Sequence, residues 1–134
     1  MDASVVAPAL MDDGPVGDAA RQRLLAERIA APSLLDLEVM SVLRRAWHAG
    51  HVDERRGSLA LQDLLALPVV RAPHEPLLNR IWELRGSFTP YDAAYVALAE
   101  AFTVVLLTAD RRLARAAAQL CDIELMHAPT ERQQ

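Results

Sequence analysis

The sequence predicts a single α/β domain in which helices cover a short parallel sheet. Glycine and proline divide the 134-residue chain at regular intervals, and most pieces between them repeat their apolar residues with helical period. Four shorter segments, rich in β-branched or other apolar residues, alternate with these helices as strands. Alternating short strands and helices are typical of βα units with a covered parallel sheet, whose ligand crevice lies beyond the carboxyl ends of the strands.

Each predicted element has its own end signals. Pro15 opens the first helix, Ser33 and Asp53 stand at N-cap positions, and Gly50 follows a helix at the C′ position. Trp47 and Trp82 lie on helix faces and are predicted to be core residues. The predicted helices cover about 15–29, 33–49, 53–67, 75–85, 89–102 and 110–119, and the predicted strands 29–31, 69–71, 103–107 and 123–126. The domain is therefore expected at 1–126, followed by a polar tail at 127–134.

Composition excludes several classes of protein. Hydrophobic residues make up 52% of the chain, which excludes wholesale disorder, and the net charge of −4 argues against passive, charge-driven binding to nucleic acid. The single cysteine, Cys121, permits no internal disulfide and favours a reducing, cytoplasmic setting. No apolar run approaches the ~20 residues that a membrane span needs, and the first residues lack the basic region of a secretory signal. We therefore expect an intracellular protein without a membrane partner.

Common catalytic motifs are also missing from the sequence. The four histidines form no His-Glu-x-x-His pattern, and there is no phosphate-binding glycine loop and no Gly-x-Ser-x-Gly elbow. Cys121 follows a helix beside the last predicted strand, where a small buried apolar role is expected for it. Zinc, nucleotide-binding and serine-hydrolase chemistry are thus disfavoured.

Two acidic residues lie on apolar faces of their helices. Glu38 has Leu34, Leu35 and Val42 as helical neighbours, so its carboxylate emerges on the inward side. Asp92 has Val96 at i+4, also on an inward sector. The alternative for Glu38 is a snorkelling or salt-bridged glutamate. For Asp92 it is a capping role, because Thr89 and Pro90 resemble the start of a capping box.

Two further acids lie near strand or chain ends. Asp110 opens a helix directly after the strand that ends near Leu107, where α/β sites form, although it could be only an N-cap. Asp2 is, on spacing alone, a terminal acid. Carboxylates ~5 Å apart at an effective dielectric of ~20 repel by roughly 3 kcal/mol per pair. If these acids converge, they therefore need protonation or a cation, and an oxygen-only ligand set selects Mg²⁺ or Mn²⁺ over zinc.

The order of these acidic motifs resembles the VapC toxins of the PIN-domain ribonucleases, over about residues 1–126. The matching segments are 2–4 (Asp-Ala-Ser), 37–39 (Leu-Glu-Val), 89–99 (Thr-Pro-Tyr-Asp-Ala-Ala-Tyr-Val-Ala-Leu-Ala) and 107–113 (Leu-Thr-Ala-Asp-Arg-Arg-Leu). The resemblance implies a three-layer α/β/α PIN-like fold and a pocket for one or two Mg²⁺ or Mn²⁺ ions, which would lie among Asp2, Glu38, Asp92 and Asp110. It also implies that Ser4 and Thr108 hydrogen-bond these carboxylates.

The same resemblance implies how the protein works. Members of this family are the toxic half of a type II toxin–antitoxin pair, usually form homodimers, and are silenced by a cognate VapB-type antitoxin. The expected reaction is metal-dependent endonucleolytic cleavage of RNA by activated water, leaving a 5′-phosphate and a 3′-hydroxyl. Arg111, Arg112 and Arg115 follow Asp110 and could hold flanking phosphates, or could form only a solvated helix face.

One departure from the family concerns the N-terminus. Family members usually carry several apolar strand residues before the first aspartate, whereas only Met1 precedes Asp2 here. Either the true start lies upstream or the strand is abbreviated, with Asp2 less firmly held. A DNA-directed nuclease using the same four acids and a noncatalytic scaffold acting through its antitoxin or a dimer also remain open at this point, and the sequence does not name the RNA target.

Overall fold

A computed structural model of the chain describes residues 1–127 and confirms the predicted α/β class. Of the predicted tail at 127–134, residues 128–134 lie outside the described residues. The elements, in chain order, are α1 (Ala3–Met11), α2 (Pro15–Ala26), β1 (Ile29–Pro32), α3 (Leu34–His48), α4 (Glu54–Ala66), β2 (Val69–Ala72), a 3-10 turn (Glu75–Leu77), α5 (Leu78–Glu83), α6 (Pro90–Phe102), β3 (Leu106–Thr108), α7 (Arg111–Ala117) and β4 (Ile123–Leu125).

The strands form two parallel pairs. β1 pairs with β2, and β3 pairs with β4. Helices α3 and α6 pack against β1, while α1, α6 and α7 pack against β3. The larger of two buried apolar clusters includes Val6, Leu35 and Leu106. The predicted parallel pairing is therefore present, but it is divided between two halves.

The first two residues connect the two strand pairs. The Met1 α-amino group donates to the Ala30 carbonyl oxygen of β1 at 3.3 Å, and the Asp2 amide donates to the Leu107 carbonyl oxygen of β3 at 3.2 Å. A cavity of about 160 Å³ lies between the pairs and is lined partly by Met1, Ala30 and Leu107. Burial lowers the pKa of the α-amino group, and the nearby Asp2 charge opposes this effect. Asp2 is thus fixed to β3 by its own backbone.

Helix α1 was not expected from the sequence. Asp2 is its N-cap, since the Asp2 side chain accepts from the Ser4 amide. Val5, Val6 and Leu10 are buried, so the helix lacks the polar face by which surface helices are recognised. Because α1 is buried on several sides, its apolar residues do not repeat with the period that predicts a surface helix.

The third strand begins later than predicted. Thr103 has a left-handed conformation (φ 51°) and ends α6, with its amide donating to the carbonyl oxygens of Ala99 and Glu100. Val104 and Val105 follow it and are about half exposed (48% and 50%), so β3 contains only Leu106–Thr108. The β-branched run at 103–105 therefore connects a helix to a strand rather than pairing.

The N-terminus of α3 is capped by a different side chain from the one predicted. The Ser33 side chain does not cap the helix; its hydroxyl donates to the Ala72 carbonyl oxygen at 3.1 Å. The imidazole Nε2 of His74 accepts from the Leu34 amide at 2.9 Å and supplies the cap instead. Gly50 does follow α3 with a positive φ of 78°, as predicted. The β2–α5 connection thus holds the helix that carries Glu38.

Two tryptophans predicted for the core lie at the surface. Trp47 is 54% exposed and contacts His48 edge to face, while Trp82 is 67% exposed beneath the Arg85 guanidinium at 4.3 Å. The buried residues of α3 are aliphatic, and α5 has no buried residue, so an apolar helical position alone did not decide burial. Within residues 1–127 no helix is both long and apolar enough to cross a membrane.

Candidate functional site

Four carboxylates from four separate elements line one cleft of about 400 Å³. They are the four acids singled out from the sequence: Asp2 at the N-cap of α1, Glu38 in α3, Asp92 in the first turn of α6, and Asp110 at the N-cap of α7. Asp110 directly follows β3 and Asp2 is bonded to β3. The cleft therefore lies at the carboxyl end of that strand, where α/β proteins place their ligands.

Asp2 is the most deeply buried of the four, with 6% exposure. One carboxylate oxygen accepts from the Ser4 amide at 3.2 Å and the Ser4 hydroxyl at 2.5 Å, and the other accepts from the Thr108 hydroxyl at 2.7 Å. Burial raises the pKa of Asp2, and the hydrogen bonds from Ser4 and Thr108 oppose that rise. Asp2 is consequently held in one orientation, unlike a free terminal acid.

Thr108 connects Asp2 to the turn that carries Asp110. Its side chain is fully buried, donates to Asp2, and accepts from the Asp110 amide at 3.0 Å. The Ser4 hydroxyl accepts from the Ala109 amide at 2.8 Å and lies 3.2 Å from the Thr108 hydroxyl. Ser4 and Thr108 thus orient one carboxylate and the backbone beneath a second.

Glu38 is held by a tyrosine that the sequence analysis did not single out. The buried Tyr95 hydroxyl donates to the Glu38 carboxylate at 2.5 Å. Desolvation raises the pKa of Glu38, the Tyr95 hydrogen bond lowers it, and the charges of Asp2 and Asp92 raise it further. The signal for Tyr95 was available, because it lies at i+3 from Asp92 on the same face of α6, and a buried tyrosine hydroxyl requires a partner.

Asp92 and Asp110 share one arginine. The Arg112 Nη2 lies 2.9 Å from Asp92 Oδ2 and 3.5 Å from Asp110 Oδ2. The hydrogen bond to Asp92, followed by the charges of both aspartates, raises the pKa of the Arg112 guanidinium. The Asp110 Oδ1 is engaged separately, since it accepts from the amides of Arg112 and Leu113 at 2.9 and 3.1 Å. Asp92 therefore lines the cleft and forms an ion pair with the mostly exposed side chain of Arg112.

The arginines predicted to meet RNA are arranged unequally. Arg111 and Arg115 are exposed on α7, whereas Arg112 turns back to the acids. Arg45 was not proposed from the sequence, but it lines the acidic cleft. It lies seven residues after Glu38, a spacing that places both side chains on one face of α3 and could have identified it.

The chemistry of these side chains fits a hard divalent cation. The donors are carboxylate oxygens. Burial raises the pKa values of Asp2 and Glu38, and the charges of Asp2 and Asp92 add to the rise at Glu38. In the described part of the chain, no group of three or more His, Cys, Asp or Glu side chains is positioned to hold a metal ion. The four carboxylates thus share a cleft without surrounding one point, and the cation nearest to two of them is Arg112.

Comparison with known proteins identifies this arrangement. A family model described as "PIN domain" matches residues 1–119. The chain is 42% identical over 126 residues to "VapC ribonuclease Mb0985" of Mycobacterium bovis, covering 94% of this chain and 96% of the relative. It is 44% identical over 128 residues to "Ribonuclease VapC1" and 39% identical over 126 residues to "Ribonuclease VapC12", both of Mycobacterium tuberculosis, with 94% of this chain covered in each case and 96% and 97% of the relatives. The chain therefore belongs to the PIN-domain family and, within it, to the VapC ribonucleases.

Proposed function

We propose that this chain is a Mg²⁺- or Mn²⁺-dependent endoribonuclease and the toxin of a type II toxin–antitoxin system. The observation that carries the proposal is the shared cleft of Asp2, Glu38, Asp92 and Asp110 at the carboxyl end of β3. Asp2 and Glu38 are desolvated, and the charges of Asp2 and Asp92 act against ionisation of Glu38, so a bound cation would stabilise the ionised carboxylates. The relatives are named ribonucleases, which supports RNA as the substrate.

Each carboxylate has a proposed role. Asp2 and Asp110 would be the main ligands of the cation, and Glu38 and Asp92 would complete the shell or orient a water molecule. When bound, a divalent cation supplies a lowered pKa for water and neutralises charge on the phosphodiester. Ser4 and Thr108 orient the Asp2 carboxylate, a role that fixes ligand geometry without contact with the ion.

Arginine side chains would hold the RNA backbone around this cleft. Arg111, Arg112 and Arg115 on α7 are proposed to contact phosphates on one side, and Arg45 on α3 lies along the cleft itself. Phosphate contacts position a strand without reading its sequence, so these residues set the register of the scissile bond. The expected products carry a 5′-phosphate and a 3′-hydroxyl.

The proposed partners are an RNA substrate, a cognate VapB-type antitoxin that blocks the cleft, and a second copy of the chain in a homodimer. The proposed location is the cytoplasm. These proposals rest on the family assignment and on the relatives' VapC names.

The direct test is cleavage of structured RNA by the purified protein. Activity should require Mg²⁺ or Mn²⁺ and disappear with EDTA. Asp92→Asn should reduce the rate by more than the about 10- to 100-fold that loss of an outer hydrogen-bond partner typically costs. Asp63→Asn, the same change at an exposed position of α4, is the matched control and should leave the rate unchanged.

Three outcomes would contradict the proposal. Cleavage that survives chelation would exclude a metal-dependent reaction. Cleavage of single- or double-stranded DNA in preference to RNA would assign a different substrate to the same acids. Growth inhibition that persists in the Asp92→Asn variant would show that the protein acts by binding rather than by cleavage.

A further inference from the structure

Arg112 is placed at an unusual point for a cation. It lies in the first turn of α7, whereas helices favour positive side chains near their C-termini. Its side chain follows the general direction of helical side chains, back toward the helix N-terminus, and there meets Asp92 and Asp110. The position of Arg112 is therefore explained by the acidic cleft rather than by the helix that carries it.

At Asp110, Arg112 contacts the carboxylate oxygen that the helix cap leaves available. Asp110 uses Oδ1 to cap α7, which leaves Oδ2, the atom 3.5 Å from the Arg112 Nη2. The Asp92 Oδ2 accepts from the same nitrogen at 2.9 Å. A divalent ion bound by these two residues would compete with the guanidinium for the Asp110 Oδ2, and its charge would repel Arg112 from both carboxylates.

The ion pair is also easy to open from the side of Arg112. The Arg112 side chain is 68% exposed, whereas the Asp92 side chain is 17% exposed and the Asp110 side chain 34%. Arg112 can therefore move into solvent without losing buried contacts, while the two acids stay in the cleft and need another positive charge.

We propose that Arg112 is an internal counter-ion of the acidic cleft, which competes with the divalent cation for Asp92 and Asp110. This inference rests on the proposed function, because it requires the cation to bind at these acids. In the metal-free protein Arg112 neutralises the pair; in the metal-loaded protein its guanidinium is released and is free to meet a phosphate. Such an arrangement makes metal affinity weaker than the four acids alone would give.

Metal binding in the absence of RNA tests the inference. Mn²⁺ affinity of the full chain is measured by electron paramagnetic resonance and by calorimetry in about 150 mM salt, which screens distant charges. Arg112→Gln should bind Mn²⁺ about fivefold more tightly than the wild type, the size expected from removing one exposed competing charge. Arg115→Gln, an identical charge change one turn further along α7, should leave the affinity unchanged.

Asp92→Asn distinguishes local competition from a general charge effect. In the Asp92→Asn background, Arg112→Gln should increase the affinity by less than it does in the wild type, because Arg112 has lost its closer partner. Unchanged or weaker Mn²⁺ binding by Arg112→Gln, or an equal gain in Arg115→Gln, would overturn the inference while leaving the nuclease proposal intact. If neither the wild type nor Arg112→Gln binds Mn²⁺, both proposals are wrong. The rise of the melting temperature with Mn²⁺ gives a second readout that does not depend on cleavage.

Discussion

Replacing Tyr95 with phenylalanine separates the hydroxyl that holds Glu38 from the ring that fills the core. Tyr95 is 3% exposed, so the aromatic ring should keep its packing in the variant. What is lost is one short hydrogen bond, at 2.5 Å, from a buried hydroxyl to a carboxylate in α3. The substitution therefore tests a single contact between two residues that are 57 positions apart in the sequence.

The expected loss of stability follows from the character of that contact. Hydrogen bonds to charged groups contribute about 1.5–3 kcal/mol, and the lower end applies because half-buried Glu38 can regain water. With an unfolding entropy of about 2.1 cal/mol/K per residue, a loss of about 1.5 kcal/mol lowers the melting temperature of a chain of this length by about 5 °C. Urea unfolding in EDTA measures the free energy directly.

Metal binding by Tyr95→Phe should change as well. The Tyr95 hydrogen bond lowers the pKa of Glu38 while desolvation raises it, so removing the bond raises this pKa further. More of Glu38 is then protonated at a given pH, and the pH at which Mn²⁺ binds half-maximally should move upward. At neutral pH the affinity should fall by about tenfold, as for other residues that orient ligands.

Tyr91→Phe is the matched control for these measurements. Tyr91 lies one turn earlier on α6 and is 63% exposed, so its hydroxyl is not required by the fold. If Tyr95→Phe and Tyr91→Phe unfold at the same urea concentration and bind Mn²⁺ with the same pH profile, the reasoning about Glu38 is refuted.

Three further substitutions test the supports of the cleft. Thr108→Val keeps the shape of a buried side chain but removes the hydroxyl between Asp2 and the Asp110 amide, so the free energy of unfolding should fall by about 2 kcal/mol. His74→Ala removes the acceptor of the Leu34 amide and should cost about 1 kcal/mol, measured by urea unfolding. Asp2→Asn removes a carboxylate whose pKa is raised in the folded state by burial. The stabilisation that protonation gives the wild type is complete below the ordinary carboxyl pKa and is lost as the pH rises through the raised folded pKa. In EDTA the wild type should therefore lose stability relative to Asp2→Asn as the pH rises above the ordinary carboxyl pKa.

The opposite results have direct meanings. An unchanged urea midpoint for Thr108→Val would show that the buried hydroxyl is dispensable to the network. An unchanged midpoint for His74→Ala would show that water caps α3 equally well. A stability difference between wild type and Asp2→Asn that is constant with pH would show that Asp2 is not desolvated in solution.

Helical period predicted the parts of the cleft that depend on local geometry. Glu38 and Asp92 were expected on inward faces, and both line the cleft in the structure. Asp110 was expected where a strand turns into a helix, and it caps α7 there. In each case the direction of the side chain follows from its position in one element, so neighbouring residues in the sequence contain enough information.

Contacts between distant elements could not be obtained in this way. The pairing of Arg112 with Asp92 spans 20 residues and depends on how α6 and α7 pack. A basic run after Asp110 indicates only positive charge, so the arginines of α7 were expected either to hold RNA phosphates or to form a solvated helix face. Whether an arginine turns outward or back to the cleft is decided by where the partner carboxylates lie in three dimensions.

The two separate strand pairs are a second feature that local sequence patterns did not predict. Apolar composition predicted the pairing strands, but the expectation of a loosely held Asp2 did not include the backbone bond from its amide to Leu107 or the hydroxyls of Ser4 and Thr108. Met1 hydrogen-bonds to β1, and Asp2 hydrogen-bonds to β3. These two residues therefore connect the two strand pairs, as backbone pairing connects the strands within each pair. The precise placement of Asp2 therefore depends on the spacing between two strand pairs that are otherwise separated by a cavity. A substitution that shifts one strand pair relative to the other should displace the Asp2 carboxylate before it displaces the other three.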